Sequence, residues 1–221
     1  MSTFHLKTSQ VLQGDFQLKE LNLLVVFQVN CPGCFLSALP LAETLYQSYG
    51  AGSSERRSTH LNILGLSTAF EDFDLNTADH TRSLLDTGDI IGATKLYFSH
   101  HGQTSYTMPI SFPVAFDQVG RGADLFDDTD VEHLCHLTPS FPTMEAAKQA
   151  RVRHRVQQAL CSQRMTGYTF SLNQLQGTPS WILFDGHSNI LAQWFGHKSE
   201  AEIVAMIDGL SDPTSVSQAI A

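Results

Sequence analysis

Two cysteines three positions apart, Cys31-Pro32-Gly33-Cys34, come directly after the run Leu23-Leu24-Val25-Val26-Phe27-Gln28-Val29. No other feature constrains the chain as much. A near-continuous apolar stretch predicts a strand over 21–29 that is buried on both faces. The residues after it predict a helix from about Gly33 to Tyr49, with Phe35, Leu39, Ala42, Leu45/Tyr46 and Tyr49 at helical spacing and a kink at Pro40. A thiol at a helix start meets free N–H groups and the positive end of the helix dipole, which favour its thiolate. A second thiol one turn on is within reach of a disulfide. The residues therefore point to a redox pair, with Cys31 as the more exposed, attacking thiol and Cys34 as its resolving partner. Two plainer readings stand beside it: unpaired buried thiols, or a zinc site that adds His133, Cys135 or His136.

Bulk properties narrow the classes. A chain of 221 residues, 42% hydrophobic, suits one domain over 1–221, with room for an insertion. Thirteen basic against 22 acidic residues give a net charge of −9, which argues against a nucleic-acid partner held by phosphate contacts. Four cysteines are too few for a disulfide scaffold in a chain this long. Their spacing is not that of paired zinc-binding cysteines, and Cys135 and Cys161 are expected to be inert thiols. The N-terminus lacks a basic segment followed by an apolar one, so no secretory signal is expected. No apolar run of membrane-spanning length occurs. The cytoplasm is the expected location, with no membrane partner.

Along the chain, residues 4–18 alternate loosely and suggest a short hairpin. Gly50-Ala51-Gly52-Ser53-Ser54 should end the first helix, and Leu61–Ser67 reads as a second buried strand, parallel to the first through a right-handed crossover. A short helix is expected around 77–86, a short strand at Lys95–Phe98, and a strand at Phe112–Asp117 that enters a turn at Gly120–Gly122. His100-His101-Gly102 reads as a polar turn. Residues 123–174 interrupt the strand pattern. They hold an acidic group (Asp124, Asp127, Asp128, Asp130, Glu132) and a basic helix over Met144–Arg164, with Val152, Val156 and Ala159/Leu160 on one face. The two charge groups are free to pair with each other or to serve a partner. Ser180–Phe184 and Ile190–Phe195 read as a hairpin about Asp185-Gly186. Ser199 and Glu202 form a capping box for a last helix that carries Ile203, Met206/Ile207 and Leu210.

Three of these features together resemble the thioredoxin-like superfamily. They are the Cys-Pro-Gly-Cys after a buried strand, Thr178-Pro179 before a late strand, and that strand's hairpin with its terminal helix. Gly177-Thr178-Pro179-Ser180-Trp181-Ile182-Leu183-Phe184-Asp185-Gly186 is similar to the redoxin branch, which holds thiol–disulfide oxidoreductases and is related to peroxiredoxins. The match covers roughly 20–67, 110–120 and 177–210. The resemblance implies an α/β fold: a thioredoxin-like three-layer sandwich with a central mixed sheet, here with an N-terminal hairpin extension and a helical insertion at about 123–174. It also implies that Pro179 is cis and lies beside the cysteines, and that the Thr178 backbone pairs with an extended substrate. Pro32 and Gly33 would shape the approach to the pair.

The activity that the resemblance implies is that of a thiol–disulfide oxidoreductase, exchanging its Cys31–Cys34 pair with disulfides of proteins or small molecules. Its expected direction is reduction, drawing on a thiol reductant, with no cofactor and no metal. The chain also departs from the family. Asn30 stands where thioredoxins usually have Trp. Val25 occupies the place of a buried, proton-relaying Asp, and Pro32-Gly33 reverses the usual order. A peroxiredoxin-like peroxidase is the nearest rival, but Gln28 stands three residues before Cys31, where peroxiredoxins carry Thr or Ser. A non-catalytic thioredoxin-like binding module is the remaining alternative.

Overall fold

The computed structural model describes residues 2–49 and 61–211. The expected helix end at Gly50–Ser54 lies outside the described residues. A six-stranded mixed sheet has the order β1-β4-β3-β2-β7-β8. Its strands are β1 (Thr8–Gln13), β2 (Leu21–Phe27), β3 (Asn62–Ser67), β4 (Val114–Asp117), β7 (Ser180–Asp185) and β8 (Ile190–Phe195). β2, β3 and β4 run parallel, while β1, β7 and β8 pair antiparallel to their neighbours. Strands β5 (Val119–Gly120) and β6 (Thr166–Gly167) form a separate short pair.

β2 shows why a continuous apolar run is needed at the centre. Leu23, Val25 and Phe27 join one core, with Leu39, Ala42 and Leu45 of α1 (Leu39–Tyr49) and Ile203 and Ile207 of α8 (Glu200–Ser211). Leu24 and Val26 face the other way into a second core with Leu64, Leu66, Ile182, Phe184 and Phe4. The two-residue period of a strand sends successive side chains to opposite faces, so the stretch covered on both sides, from Leu23 to Phe27, is apolar throughout.

The helix that carries the cysteine motif runs through Pro40 without a break. A single π-helical turn, Cys34–Ala38, precedes α1, and the Leu39 N–H bonds the Cys34 carbonyl. Proline removes one i→i−4 donor and crowds the turn before it, and the wider turn absorbs that misfit. Phe35 on this turn packs edge-on against Tyr106 at 4.9 Å and Phe98 at 6.2 Å.

Two expectations are corrected. The N-terminal segment is not a hairpin: β1 is a single strand that pairs with β4, about a hundred residues away. It covers what would otherwise be an open sheet edge. Lys95–Phe98 is not a strand but part of helix α3 (Gly92–His100), which buries Thr94 and Phe98 at i, i+4. The helix expected near 77–86 is α2 (Ala78–Thr87), with Thr77 accepting the His80 N–H at its start.

The stretch between β4 and β7 contains α4 (Gly122–Leu125), α5 (Asp128–His136), α6 (Ala146–Cys161) and α7 (Tyr168–Leu172). These helices gather around a third core of Leu125, Phe126, Val131, Cys135, Phe141, Leu160, Tyr168 and Leu172. Here the acidic and basic groups do meet: Arg153 of α6 donates from Nε and Nη2 to both Glu132 oxygens, at 2.6 and 3.0 Å. Buried Asp117, at the end of β4, joins this layer to the sheet. It accepts from the Thr68 hydroxyl (2.7 Å) and from the N–H groups of Thr169 (3.0 Å) and Phe170 (3.3 Å). Ser199 and Glu202 form the expected reciprocal cap of α8.

Candidate active site

β2 ends at Phe27, and a short connection delivers Cys31 to the start of the motif helix. The Cys31 and Cys34 sulfurs lie 2.6 Å apart. Cys31 is half-buried and Cys34 is fully buried. The Cys34 N–H points at the Cys31 sulfur over 3.3 Å, and the Cys31 thiol reaches the Thr178 carbonyl at 3.5 Å. The Thr178–Pro179 peptide is cis, and Pro179 is buried beside half-buried Thr178. Pro32 is half-buried. Gly33 is exposed, and a Cβ placed there would meet nothing within 4 Å. The structure thus brings together all six residues singled out from sequence, although they lie almost 150 positions apart in the chain.

The two thiols differ in acidity because they differ in surroundings. Hydrogen bonding from the Cys34 thiol lowers the Cys31 pKa to about 6, against the opposing effect of burial. The Thr178 side chain and the Cys34 and Gly33 N–H groups add to the lowering. The two N–H contributions are what a helix N-terminus offers a thiolate, and they are smaller than that of the Cys34 thiol. Cys34 is pushed well up, first by burial and then by giving its hydrogen bond to Cys31. One thiol is therefore ionised near neutral pH, while the other keeps its proton within reach of the first sulfur.

Asn30, in the place usually taken by Trp, has a structural use that the sequence does not disclose. Its Oδ1 accepts the Ala93 N–H at 2.6 Å, its Nδ2 donates to Asp72 Oδ2 at 2.8 Å, and its own N–H donates to Asn76 Oδ1 at 3.0 Å. Ile91 gives α3 no side-chain cap, so Asn30 caps that helix from across the site. Gly92 has φ +50°, and a Cβ there would stand 2.2 Å from Asn30 Oδ1. The Thr94 hydroxyl adds a bond to the Val29 carbonyl at 2.8 Å. The residue before Cys31 is thus held from three sides.

The metal alternative finds no geometry. His133 packs on the His5 ring at 4.0 Å, His136 Nε2 bonds Glu132 at 3.1 Å, and Cys135 is buried in the third core. Among the described residues, no three His, Cys, Asp or Glu side chains converge on a metal position. Likewise, among the described residues, no helix is long and apolar enough to cross a membrane.

Two solved structures share this architecture over nearly their whole length. One is a thiol-disulfide isomerase from Corynebacterium glutamicum, 18% identical, with a TM-score of 0.54 and 94% of each chain covered. The other is a thioredoxin-like superfamily protein, 21% identical, with a TM-score of 0.54, covering 95% of this chain and 96% of its own. The fold is thioredoxin-like. A scan of protein-family models gives no match, and a search of curated proteins gives none either. At these identities the likeness speaks for the fold. The chemistry of this thioredoxin-like chain has to be argued from its own side chains.

Proposed function

We propose that the chain is a thiol–disulfide oxidoreductase, one thioredoxin-like domain over 1–221 with its insertion at about 123–174. The observation that carries this reading is an accessible low-pKa thiol, Cys31, set 2.6 Å from a buried, protonated partner, Cys34. The Cys31 thiolate attacks one sulfur of a substrate disulfide. An S–S bond forms between Cys31 and that sulfur, and the other substrate sulfur leaves as a thiolate. Cys34 then attacks Cys31, and its proton goes to the departing thiolate. The second substrate sulfur is released, and Cys31–Cys34 becomes a disulfide. The pair loses two electrons, and the substrate gains them. Val25 leaves no carboxylate at the place where the family relays this proton, so the relay falls to another group or to water.

Pro32 and Gly33 frame the approach to Cys31, and the Thr178–Pro179 backbone receives the substrate segment. A cellular thiol resets the pair. In a reducing compartment such as the cytoplasm, that supply makes the protein a reductase of protein or small-molecule disulfides.

The test is insulin-disulfide reduction with the wild type, Cys31→Ser and Cys34→Ser. Wild type should turn over, Cys31→Ser should fall to background, and Cys34→Ser should accumulate a mixed disulfide through Cys31. Full activity in Cys31→Ser would refute the assignment. No exchange with any disulfide would leave a binding module. Rapid hydrogen-peroxide turnover would favour a peroxidase, which needs a peroxide-orienting hydroxyl where this chain has the Gln28 carboxamide.

A further inference from the structure

Residues 2–7, ahead of β1, form a strap pinned along its length. The Ile190 N–H donates to the Ser2 carbonyl at 2.9 Å, the Phe4 N–H to the Ser188 carbonyl at 2.7 Å, and the Lys7 N–H to the Thr169 hydroxyl at 3.2 Å. The Asn173 amide accepts the His5 N–H at 3.0 Å and donates to the His5 carbonyl at 2.6 Å. Phe4, 3% exposed, closes the second core against the Phe184 ring.

The strap meets the insertion through two imidazoles. The His5 ring lies on the His133 ring of α5, with centroids 4.0 Å apart and planes tilted by 49°. Two cations at that distance repel. Asp130 faces both rings, but its oxygens are taken: Oδ1 accepts the Tyr168 hydroxyl of α7 at 2.7 Å, and Oδ2 accepts the Asp127 N–H at 3.1 Å, with Lys7 Nζ at 3.8 Å. Lys7 adds positive charge from the strap. His136, on α5, adds another titratable ring, bonded to Glu132 at 3.1 Å. His5 Nε2 is buried and, among the described residues, has no hydrogen-bond partner. A charged imidazole carries a proton on both nitrogens, so Nε2 would become a buried donor with nothing to accept it. Burial is the main reason that both rings lie below the ordinary 6.5, and His5 lowers His133 further. A cleft lined by Ser2, Thr3, His133, Leu137 and Gln193 brings solvent to this seam.

We propose that the His5–His133 stack is an acid-released latch: it holds the N-terminal strap to the insertion while both rings are neutral and lets it go once they are charged. A histidine kept neutral by the closed strap takes up its proton more readily when the strap is open. Closure is therefore fully favoured above the ordinary value of 6.5, and the preference is lost as pH falls through the lowered ones. Release uncovers Phe4 and the second core beneath it. It also frees the Asn173 amide, at the start of the segment that leads to Thr178.

The experiment follows amide hydrogen exchange of the full chain, corrected for intrinsic rates, in the wild type, His5→Phe and His133→Phe. Phenylalanine keeps a ring in the stack and cannot ionise. Between about pH 7 and about pH 5, wild-type protection at Phe4, His5 and Lys7 should fall by roughly fivefold or more, the size of an ordinary coupling between two sites. Protection in β2 should hold. Both variants should keep most of their strap protection. In His5→Phe the NMR midpoint of His133 should rise, because the opposing ring is gone.

Level strap protection in the wild type overturns the proposal. So does an equal fall in both variants, which would assign the titration to other groups. If neither variant folds, the wild type decides: lowered His5 and His133 midpoints that coincide with the loss of strap protection support the latch, and midpoints at or above the ordinary value overturn it. None of these readouts needs a disulfide substrate, so a failure of the proposed thiol exchange leaves the latch standing.

Discussion

Asn30 Oδ1 accepts the Ala93 N–H at 2.6 Å, so the residue before the candidate nucleophile also caps a helix about sixty positions further along the chain. The bond ties the rigidity of the Cys31 loop to the folding of α3. It also accounts for an asparagine at a position where the family usually has an aromatic residue: a carboxamide can accept from Ala93 and donate to Asp72 in one plane, and an indole cannot.

Two substitutions separate these roles. Asn30→Ala leaves the Ala93 N–H without its partner and should cost about 1–2 kcal/mol, as loss of a helix cap does. Urea unfolding measures it, and unchanged stability would show the bond to be idle. Asn30→Asp keeps the acceptor but sets a second carboxylate against Asp72, next to Cys31. Added negative charge disfavours a thiolate. The Cys31 pKa should therefore rise from about 6, and its alkylation at neutral pH should slow.

The unequal thiols should appear in the potential. Below the Cys31 pKa of about 6, reduction of the disulfide takes up two protons. Above it, reduction takes up one, because Cys34 stays protonated. For a two-electron couple the potential should fall by about 59 mV per pH unit below the break and by about 30 mV above it. Linkage gives the same sign for stability. The depressed pKa stabilises the reduced form fully above the ordinary value of 9.0, and the gain is lost as pH falls through about 6. Glutathione equilibration from roughly pH 5 to pH 8 checks the break. One slope throughout would mean that Cys31 is not the low-pKa thiol.

A lowered Cys31 pKa also stabilises the dithiol. The potential should accordingly lie above the roughly −270 mV of thioredoxin, toward but short of the roughly −120 mV of a strong oxidant. A value more negative than thioredoxin's would contradict the geometry around Cys31.

Legibility in the sequence tracks the reach of each interaction. β2 is legible because burial on both faces leaves a run with no polar gap from Leu23 to Phe27. The α8 cap is legible because Ser199 and Glu202 are three positions apart. α3 reads as a strand because the group that caps it, Asn30, is remote, and because its segment holds aromatic residues common in strands. β1 reads as half of a hairpin because its partner, β4, lies on the far side of the first crossover. Cys31 and Cys34 emerge from motif spacing, and Thr178 and Pro179 from the resemblance to the thioredoxin-like superfamily. Asn30 and Gln28 stand out as departures from a pattern, yet their partners, Ala93 and Thr178, are 63 and 150 positions away. No local pattern encodes such a pairing.

Asp117 should be the most sensitive polar residue outside the site. Asp117→Ala strands the Thr169 and Phe170 N–H groups in the interior and should cost about 2–4 kcal/mol. The amide exchange of those two residues should accelerate first. Burial raises the Asp117 pKa, against the pull of its donors. A raised acid contributes fully below its unfolded value and loses part of that as pH rises through the folded one. Asp117→Asn does not ionise, so its cost should shrink as pH rises from the ordinary carboxylate range through the raised one. A cost that grows over this range in urea titrations would reverse the sign of the burial argument.

The two remaining thiols test whether redox chemistry is confined to one pair. Cys161 is exposed at the end of α6, while Cys135 lies on the buried face of α5, where burial raises its pKa. Folded, reduced protein should take up iodoacetamide quickly at Cys31 and Cys161, and at Cys135 only on unfolding. After oxidation by a mild disulfide, Cys161 should be the one fast site left, because Cys31 is then bonded to Cys34. Cys161→Ser should leave insulin reduction unchanged. Peptide mapping by mass spectrometry reads each outcome, and a Cys135–Cys161 disulfide in the folded protein would show a second redox pair.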